Sequence, residues 1–421
     1  MEEYLDLISE GIYRFEKGRL FIEDVCAEEI CAKFGTPVYV YSSNYVKTQI
    51  NKICNAFRKV SPLVCYSMKA NSNMGILKIV KESGCGVDIV SGGEMMKALK
   101  AGFNAKKIVF AGVGKTRGEI TDALKKGIYL FNVESIGELK AINETAGNMR
   151  KIVSVNLRIN LDVDVDTHHY TKTAKKETKF GMPENQVRSI IKNRRNFRHI
   201  NISGIQFHLG SNIKSSVFYI KALRKLKNFL TDINFTPSVI DIGGGFGIQY
   251  RNEPIEPIED FGKKICDFFV KNFPDVLMII EPGRFIVGNA GILLTRVIYN
   301  KKTAHRNFLI VDAGMNDLIR PSLYGSYHEI FPAALKKGKS VKYDIVGPIC
   351  ETGDFLGKDR KLPGNLTSGD VIAVMSAGAY GFSMSSNYNG RVRAAEVMVS
   401  CNKVICCRER ERVEDLWSKE V

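Results

Sequence analysis

A (β/α)8 barrel followed by an all-β domain is the fold class that the sequence predicts, and two observations predict it. Strand-like apolar runs alternate with segments of helical spacing, and eight such runs end near Lys69, Ser91, Gly112, Ser135, Asn160, Gly210, Gly245 and Glu281. After Arg284 the alternation stops, and strand-like runs separated by Gly-, Pro- and Asn-containing turns take over. Eight strand-helix units over roughly 240 residues match the usual size of such a barrel, whose active site lies at the C-terminal ends of its strands. Every residue that ends a strand is therefore a candidate for chemistry.

Residues 1–40 read as strands and turns that join the β domain, with I-Y-R-F, R-L-F-I and P-V-Y-V-Y as their apolar runs. Residues 41–284 read as the barrel. Ser91-x-x-Glu94, Thr116-x-x-Glu119 and Ser135-x-x-Glu138 have capping-box form directly after a strand, and Pro183 suits the first turn of a helix carrying Val187, Ile190 and Ile191. Ile258, Phe261, Ile265 and Phe268 give the last helix before the eighth strand one buried stripe. Residues 285–421 read as the β domain, with strands at Phe285 to Tyr299, Phe308 to Asp312, Val341 to Val346, Val371 to Met375 and Glu396 to Cys407.

Composition narrows the function classes. The chain is 44% hydrophobic and 25% charged, as in a soluble globular protein, and no run of about 18 apolar residues predicts a membrane span. The net charge of +16 comes from lysines spread along the whole chain, without a basic tail or interleaved aromatic platform. It is expected to be a solvated surface that attracts an anionic substrate, not a nucleic-acid site. The ten cysteines form no C-x-x-C pair and no common zinc spacing, so reduced thiols and no metal are expected. With an acidic N-terminus that lacks the form of a signal peptide, this points to a cytoplasmic setting.

Three apparent motifs fail on their spacing. Gly112-Val113-Gly114-Lys115-Thr116 resembles a phosphate-binding loop but has Val109 where the first glycine belongs. Asp162, Asp164 and Asp166 imitate a calcium loop, yet Thr167 and Thr173 stand where Gly and Glu are needed. Gly243 to Gly247 ends a strand, but Ile248 replaces the last glycine of a dinucleotide fingerprint.

The strand ends themselves carry a coherent set. The first strand, L-V-C-Y, runs out into S-M-K-A-N, bringing Lys69; a lysine snorkelling out of the strand end is the alternative reading. Lysine is rarely buried without a task, because loss of hydration lowers its pKa and makes the amine nucleophilic. The sixth strand ends in F-H-L-G-S-N, with His208 and Ser211. The seventh ends in D-I-G-G-G-F-G, where Gly243, Gly244 and Gly245 allow backbone N–H groups to approach a phosphate. The eighth ends in Glu281-Pro282-Gly283-Arg284. A lysine amine, a phosphate cradle, a flat histidine and a carboxylate together suit pyridoxal phosphate better than any other cofactor. Lys69 is then expected to form the Schiff base, His208 to stack on the ring, the glycines and Ser211 to hold the phosphate, and Glu281 to bond the ring nitrogen.

From about Gly35 to about Met398 the chain resembles the diaminopimelate decarboxylases, a family within the alanine-racemase-like (fold type III) pyridoxal-phosphate enzymes. Y-S-M-K-A-N, V-S-G-G-E, F-A-G-V-G-K-T, F-N-V-E-S, F-H-L-G-S-N, D-I-G-G-G-F-G and E-P-G-R fall in the family's order. The more specific matches are R-P-S-L-Y at Arg320 to Tyr324, G-P-I-C-E-T-G-D at Gly347 to Asp354, and G-A-Y-G-F-S-M at Gly378 to Met384. The resemblance implies a homodimer that decarboxylates meso-2,6-diaminopimelate to L-lysine. It implies that Gly283, Arg284 and Tyr380 also contact the cofactor, that Arg284, Arg320 and Tyr324 hold substrate carboxylate, and that Glu351 holds the distal ammonium. Tyr380 contacts substrate as well, and Cys350 of the partner subunit supplies the proton to the α-carbon. Two departures are small: Thr352 replaces the commoner serine, and a second histidine often stands where this chain has Gln206 or Phe207. Neither is expected to touch a site role, though the second is expected to alter packing beside His208. An ornithine- or arginine-type decarboxylase, a racemase of this fold and a non-catalytic cofactor-binding homologue are the rivals; Glu351 paired with Arg320, and C-E-T-G-D, argue against the first, Glu281 where a racemase would put arginine argues against the second, and the retained Cys350 and substrate residues against the third.

Overall fold

The computed structural model describes residues 2–163 and 179–421. The Asp164, Asp166, Thr167 and Thr173 positions of the calcium-loop imitation lie outside the described residues. The chain forms two compact units: Gln49–Gly247 with Ile255–Phe285, and Met1–Thr48 with Ile248–Pro254 and Ile286–Val421.

The first unit is a closed barrel of eight parallel strands. They are β1 (Leu63–Ser67), β2 (Gly86–Ile89), β3 (Ile108–Phe110), β4 (Leu130–Val133), β5 (Val153–Arg158), β6 (Ile200–Gln206), β7 (Val239–Asp241) and β8 (Leu277–Ile280). Closure is tight where β6 meets β7: a Cβ on Gly204 would lie 1.7 Å from the Val239 carbonyl oxygen, so no side chain fits there. The helices start where the capping signals place them. The Ser91, Thr116 and Ser135 side chains each accept the N–H three residues on, and at Thr116 the full reciprocal box is formed.

The second unit is built on a sheet in which Val38–Ser42 runs antiparallel to Gly291–Lys302 and parallel to Ala395–Ser400. Asn307–Val311, Ser340–Val346 and Phe355–Pro363 extend one side, and Lys403–Arg408 the other. Val38 and Val40 alternate into a core with Ile292, Leu294, Val397 and Val399. Tyr39 and Tyr41, on the other face, are also fully buried; their hydroxyls donate to the Asp317 carbonyl oxygen (2.6 Å) and to Glu396 Oε1 (2.8 Å).

The expectation of strands and turns over residues 1–40 is corrected by two helices, Glu2–Ser9 and Ala27–Phe34. The second has Glu28 and Glu29 in its first turn, Lys33 in its last and Gly35 beyond its end, which is helix-terminus chemistry. The strands Tyr13–Glu16, Arg19–Ile22 and Val25–Cys26 form a sheet of their own, and only Val38–Ser42 enters the large one. Three further details differ. Phe285 lies in a short helix, Arg284–Val287; Glu396 to Cys407 folds back at Cys401 as a hairpin; and Phe355–Pro363, polar in sequence, is a strand.

Candidate active site

The barrel mouth follows from a two-residue period. Side chains two apart along a strand share a face. Cys65, Leu130, Val239 and Ile279 pack as a buried apolar cluster within the strands. Two residues further toward the C-terminal ends stand Ser67, Asn132, Asp241 and Glu281, all of them buried. The barrel thus changes from apolar to polar within one step, and the register places Ser67 opposite Asp88 and Gln206 opposite Asp241.

Lys69 sits in the turn Met68–Ala70 that closes β1, between two fully buried neighbours. Its Nζ is 3.8 Å from Asp88 Oδ2, which also accepts the Ser67 hydroxyl at 2.6 Å. Burial raises the Asp88 carboxyl above its usual range, and Lys69 and Ser67 oppose that rise. Glu94, which accepts the Val90 N–H at 2.7 Å, is pushed up to about 7 by burial, with Asp88 adding to the rise and Lys69 opposing it. The lysine therefore has acidic groups around it.

His208 follows β6. The Gly244 N–H donates to its Nδ1 at 3.2 Å, so that nitrogen carries no proton, and burial with Lys69 and Arg158 nearby keeps the ring neutral, well below its usual pKa. The glycine run is dictated by close approach. Gly243 and Gly245 have φ of 70° and 99°, and a Cβ on Gly244 would lie 1.9 Å from the Glu281 carbonyl oxygen. The Gly243 N–H donates to Asp241 Oδ1 at 2.9 Å and that of Gly244 to His208, which leaves the Gly245 N–H as the one without an acceptor among the described residues. Arg284 Nη2 donates to Ser211 Oγ at 2.8 Å, so these two belong to one anion-facing pair. Gly283 packs the β8 end onto the β1 end: a Cβ there would lie 2.9 Å from Ser67 Cβ.

Glu281 is 3% exposed. Burial and the neighbouring Asp241 and Asp88 carboxyls hold its pKa well above the carboxylate range, and Lys69 opposes this. Asn132 Nδ2 donates to its Oε1 at 3.1 Å and Gln206 Nε2 to its Oε2 at 3.4 Å. The expectation that the Gln206 departure touches no site role is therefore corrected, because its amide faces the Glu281 carboxyl from the end of β6. Pyridoxal phosphate fits these residues: an amine at the mouth, a free amide beside a serine and an arginine for phosphate, and a carboxyl suited to a ring N–H.

The remaining candidates lie on the second unit. Arg320, 5% exposed, donates to Tyr250 Oη (3.3 Å), Ser326 Oγ (3.2 Å) and His328 Nε2 (3.4 Å). The His328 Nδ1–H goes to the Met375 carbonyl oxygen, 2.9 Å away, which leaves Nε2 as the acceptor that Arg320 needs. Tyr324, half-buried, ends the same short helix, Arg320–Tyr324. Cys350 and Glu351 are exposed on a loop pinned by buried Asp354, which accepts the Met315 and Ile349 N–H groups at 2.6 and 2.7 Å. The Cys350 N–H donates to Asn389 Oδ1 at 2.7 Å, and Glu351 Oε1 accepts the Gly353 N–H at 3.3 Å. Tyr380 adopts φ of 58°, an uncommon conformation for a non-glycine residue that its neighbours must hold.

Sequence reasoning missed Asp88, Asn132, Glu134, Arg158 and Asp241. Arg158 donates to buried Glu134 at 2.7 Å across the β4 and β5 ends. The available signal was one polar residue inside an otherwise apolar strand, as in G-V-D-I, L-F-N-V and V-I-D. Lys115 is structural: its ammonium donates to the Gly112 and Asn132 carbonyl oxygens and to Glu138, at 2.7, 2.8 and 2.7 Å. Among the described residues no cluster of His, Cys, Asp or Glu is placed to hold a metal, and no helix is long and apolar enough to cross a membrane.

The pyridoxal binding domain of the pyridoxal-dependent decarboxylases matches residues 45–288. Fold and site thus define the class: the chain is a barrel-type pyridoxal-dependent decarboxylase. Within that class it is 45% identical to the diaminopimelate decarboxylase of Aquifex aeolicus over 95% of each chain. The structure of diaminopimelate decarboxylase from M. jannaschii in co-complex with L-lysine superposes with a TM-score of 0.92 at 35% identity, covering 98% of each chain. That from Helicobacter pylori, complexed with L-lysine, gives 0.88 at 38% identity, covering 93% of this chain and 98% of the other. The chain belongs to the diaminopimelate decarboxylase family.

Proposed function

We propose that this protein removes carbon dioxide from the D-centre of meso-2,6-diaminopimelate to leave L-lysine, with pyridoxal phosphate as its cofactor. The observation that carries the reading is the barrel mouth, where Lys69, His208 with its Nδ1 accepting the Gly244 N–H, and buried Glu281 follow β1, β6 and β8. L-lysine bound to two relatives supports the product assignment. Lys69 would hold the cofactor and yield it to the substrate amine, and the cofactor would then supply an electron sink for the pair left on the α-carbon when carbon dioxide departs.

The chain's own residues do the rest. Glu281 holds a proton against the ring nitrogen, and His208 packs on the ring face. Ser211, Arg284 and the Gly245 amide hold the phosphate, with side-chain-free Gly243 and Gly244 allowing its close approach and Gly283 keeping two strand ends close. Arg284, Arg320 and Tyr324 bind substrate carboxylate, Glu351 binds the distal ammonium, and Tyr380 contacts cofactor and substrate. The partner subunit's Cys350 returns the proton to the α-carbon, which makes the active enzyme a cytoplasmic homodimer of shared sites. The exposed, pinned loop carrying Cys350 and Glu351 supports a role across a subunit boundary. The domains are taken as 1–40 with 285–421, and 41–284. The test is to offer the purified protein diaminopimelate, ornithine, arginine and lysine with pyridoxal phosphate and measure carbon dioxide from each. Release from diaminopimelate alone is expected; release chiefly from ornithine or arginine would replace this reading with the rival decarboxylase.

A further inference from the structure

Among the buried acids that the roles above leave unused, one touches Glu281 through a shared partner. Asp241, fully buried at the end of β7, lies beside Glu281, close enough for the one Asn132 amide to reach a carboxyl oxygen of each. Two buried carboxyls this close disfavour ionising together, so the pair shares one proton. Asn132 Nδ2 has two hydrogens and donates one to Asp241 Oδ2, at 2.9 Å, and the other to Glu281 Oε1, at 3.1 Å. Asp241 also accepts the Gly243 N–H at 2.9 Å, whereas Glu281 has only the long contact from Gln206 in addition. Asp241 is thus the better-stabilised anion, and the proton sits on Glu281. Burial raises both carboxyls, Asp241 to about 6, and the neighbouring Asp241 charge raises Glu281 further.

We propose that Asp241 is a positioning residue that, with the Asn132 amide as bridge, stores one proton on Glu281 and sets how firmly Glu281 holds it. The proposal rests on the reading that Glu281 meets the cofactor's ring nitrogen. When that nitrogen arrives with its lone pair, the Glu281 O–H bond breaks and a ring N–H bond forms. The pair is left with two negative charges against one new positive charge. Asn132 can then donate to both carboxylates without moving. The other groups that face the pair are Lys69 at the β1 end, Asp88 on β2, Cys65 on β1 and Tyr219 on the helix Val217–Asp232. Lys69 favours ionisation of Glu281 and Asp88 opposes it, and neither changes in the variants below.

The test is infrared titration of the protonated-carboxyl stretch in the full-length chain, before and after loading with pyridoxal phosphate. Wild type should show a carboxyl band that persists above neutral pH and that Glu281→Gln abolishes. Asp241→Asn keeps the shape and an acceptor for the Glu281 hydroxyl but removes a like charge, so the band should titrate at least about one pH unit lower. Asn132→Ala removes a donor that favours the ionised form, so its band should titrate higher. Opposite shifts are the signature, because a merely structural disturbance would move both variants the same way, and Asn132→Ala keeps the test alive should Asp241→Asn fail to fold. Unchanged or like-signed midpoints, or a band that survives Glu281→Gln, would overturn the proposal. If the shifts occur but loading leaves the wild-type band intact, the pair stands and the placement of the ring nitrogen at Glu281 fails.

Discussion

Replacing Lys115 by methionine is expected to destabilise the barrel by about 3–5 kcal/mol at pH 7, and by clearly less at pH 5.5. The Lys115 and Glu138 side chains are 1% and 6% exposed and 2.7 Å apart. Burial pushes the ammonium down and the carboxyl up, and the contact between them opposes both. With the ammonium gone, Glu138 keeps only the Glu134 N–H, at 2.9 Å, and its cheapest response is to take up a proton. From the ordinary value of 4.5, protonation at pH 7 costs about 3.4 kcal/mol, at about 1.36 kcal/mol per pH unit. At pH 5.5 the same step costs about 1.4 kcal/mol. Two carbonyl oxygens also lose their donor, which adds a cost at every pH. The sign follows from proton counts. Above 4.5 the variant's native state holds a proton that its unfolded state has released, so its stability falls as pH rises toward the raised folded pKa. Urea unfolding of wild type and variant at pH 5.5 and 7, followed by far-UV circular dichroism, measures this. A loss under about 1 kcal/mol, or one equal at the two pH values, would refute the reasoning.

Three further outcomes are expected. Borohydride should abolish the colour of the holoenzyme and fix the cofactor on Lys69; an adduct mapped to Lys115 would undo the assignment of the first barrel strand. Glu351→Gln should lower diaminopimelate turnover roughly tenfold to a hundredfold, as expected for one charged hydrogen bond of about 1.5–3 kcal/mol, with the cofactor spectrum unchanged. Lys69→Ala and Cys350→Ala chains, each nearly inactive, should recover roughly a quarter of wild-type activity when mixed under subunit exchange, since half the dimers then carry one intact site. No recovery despite proven exchange would place both residues in a site made by one chain.

The barrel was legible because its signal is repeated: each strand is a short apolar run closed by a turn or cap, and Ser91, Thr116 and Ser135 mark the helix starts by hydrogen bonds that the structure contains. Lys69, His208 and Glu281 were legible because strand ends are where a barrel does chemistry. Asp241 and Asn132 were not. They are 109 residues apart, and each looks like a lone polar residue in an apolar strand until barrel closure brings them to 2.9 Å. The helix Glu2–Ser9 was missed because its buried positions, Leu5 and Ile8, give a stripe of less than two full turns. The strand Phe355–Pro363 carries Lys358, Asp359, Arg360 and Lys361, and is held by its pairing with Ser340–Val346, which no local pattern reveals.

The strand Val38–Ser42 has a consequence for how the protein is made. Its two partners, Gly291–Lys302 and Ala395–Ser400, are synthesised long after it, and the whole barrel is translated in between. At about 5–20 residues per second, roughly 250 residues of waiting leave V-Y-V-Y-S without either neighbour for about 12–50 s on the ribosome. A strand destined to be buried on both faces is then an unpaired edge of apolar and aromatic residues, the kind of segment that pairs with another copy of itself. Until Gly291–Lys302 emerges, the segment's backbone groups and apolar side chains have no partner from the finished sheet.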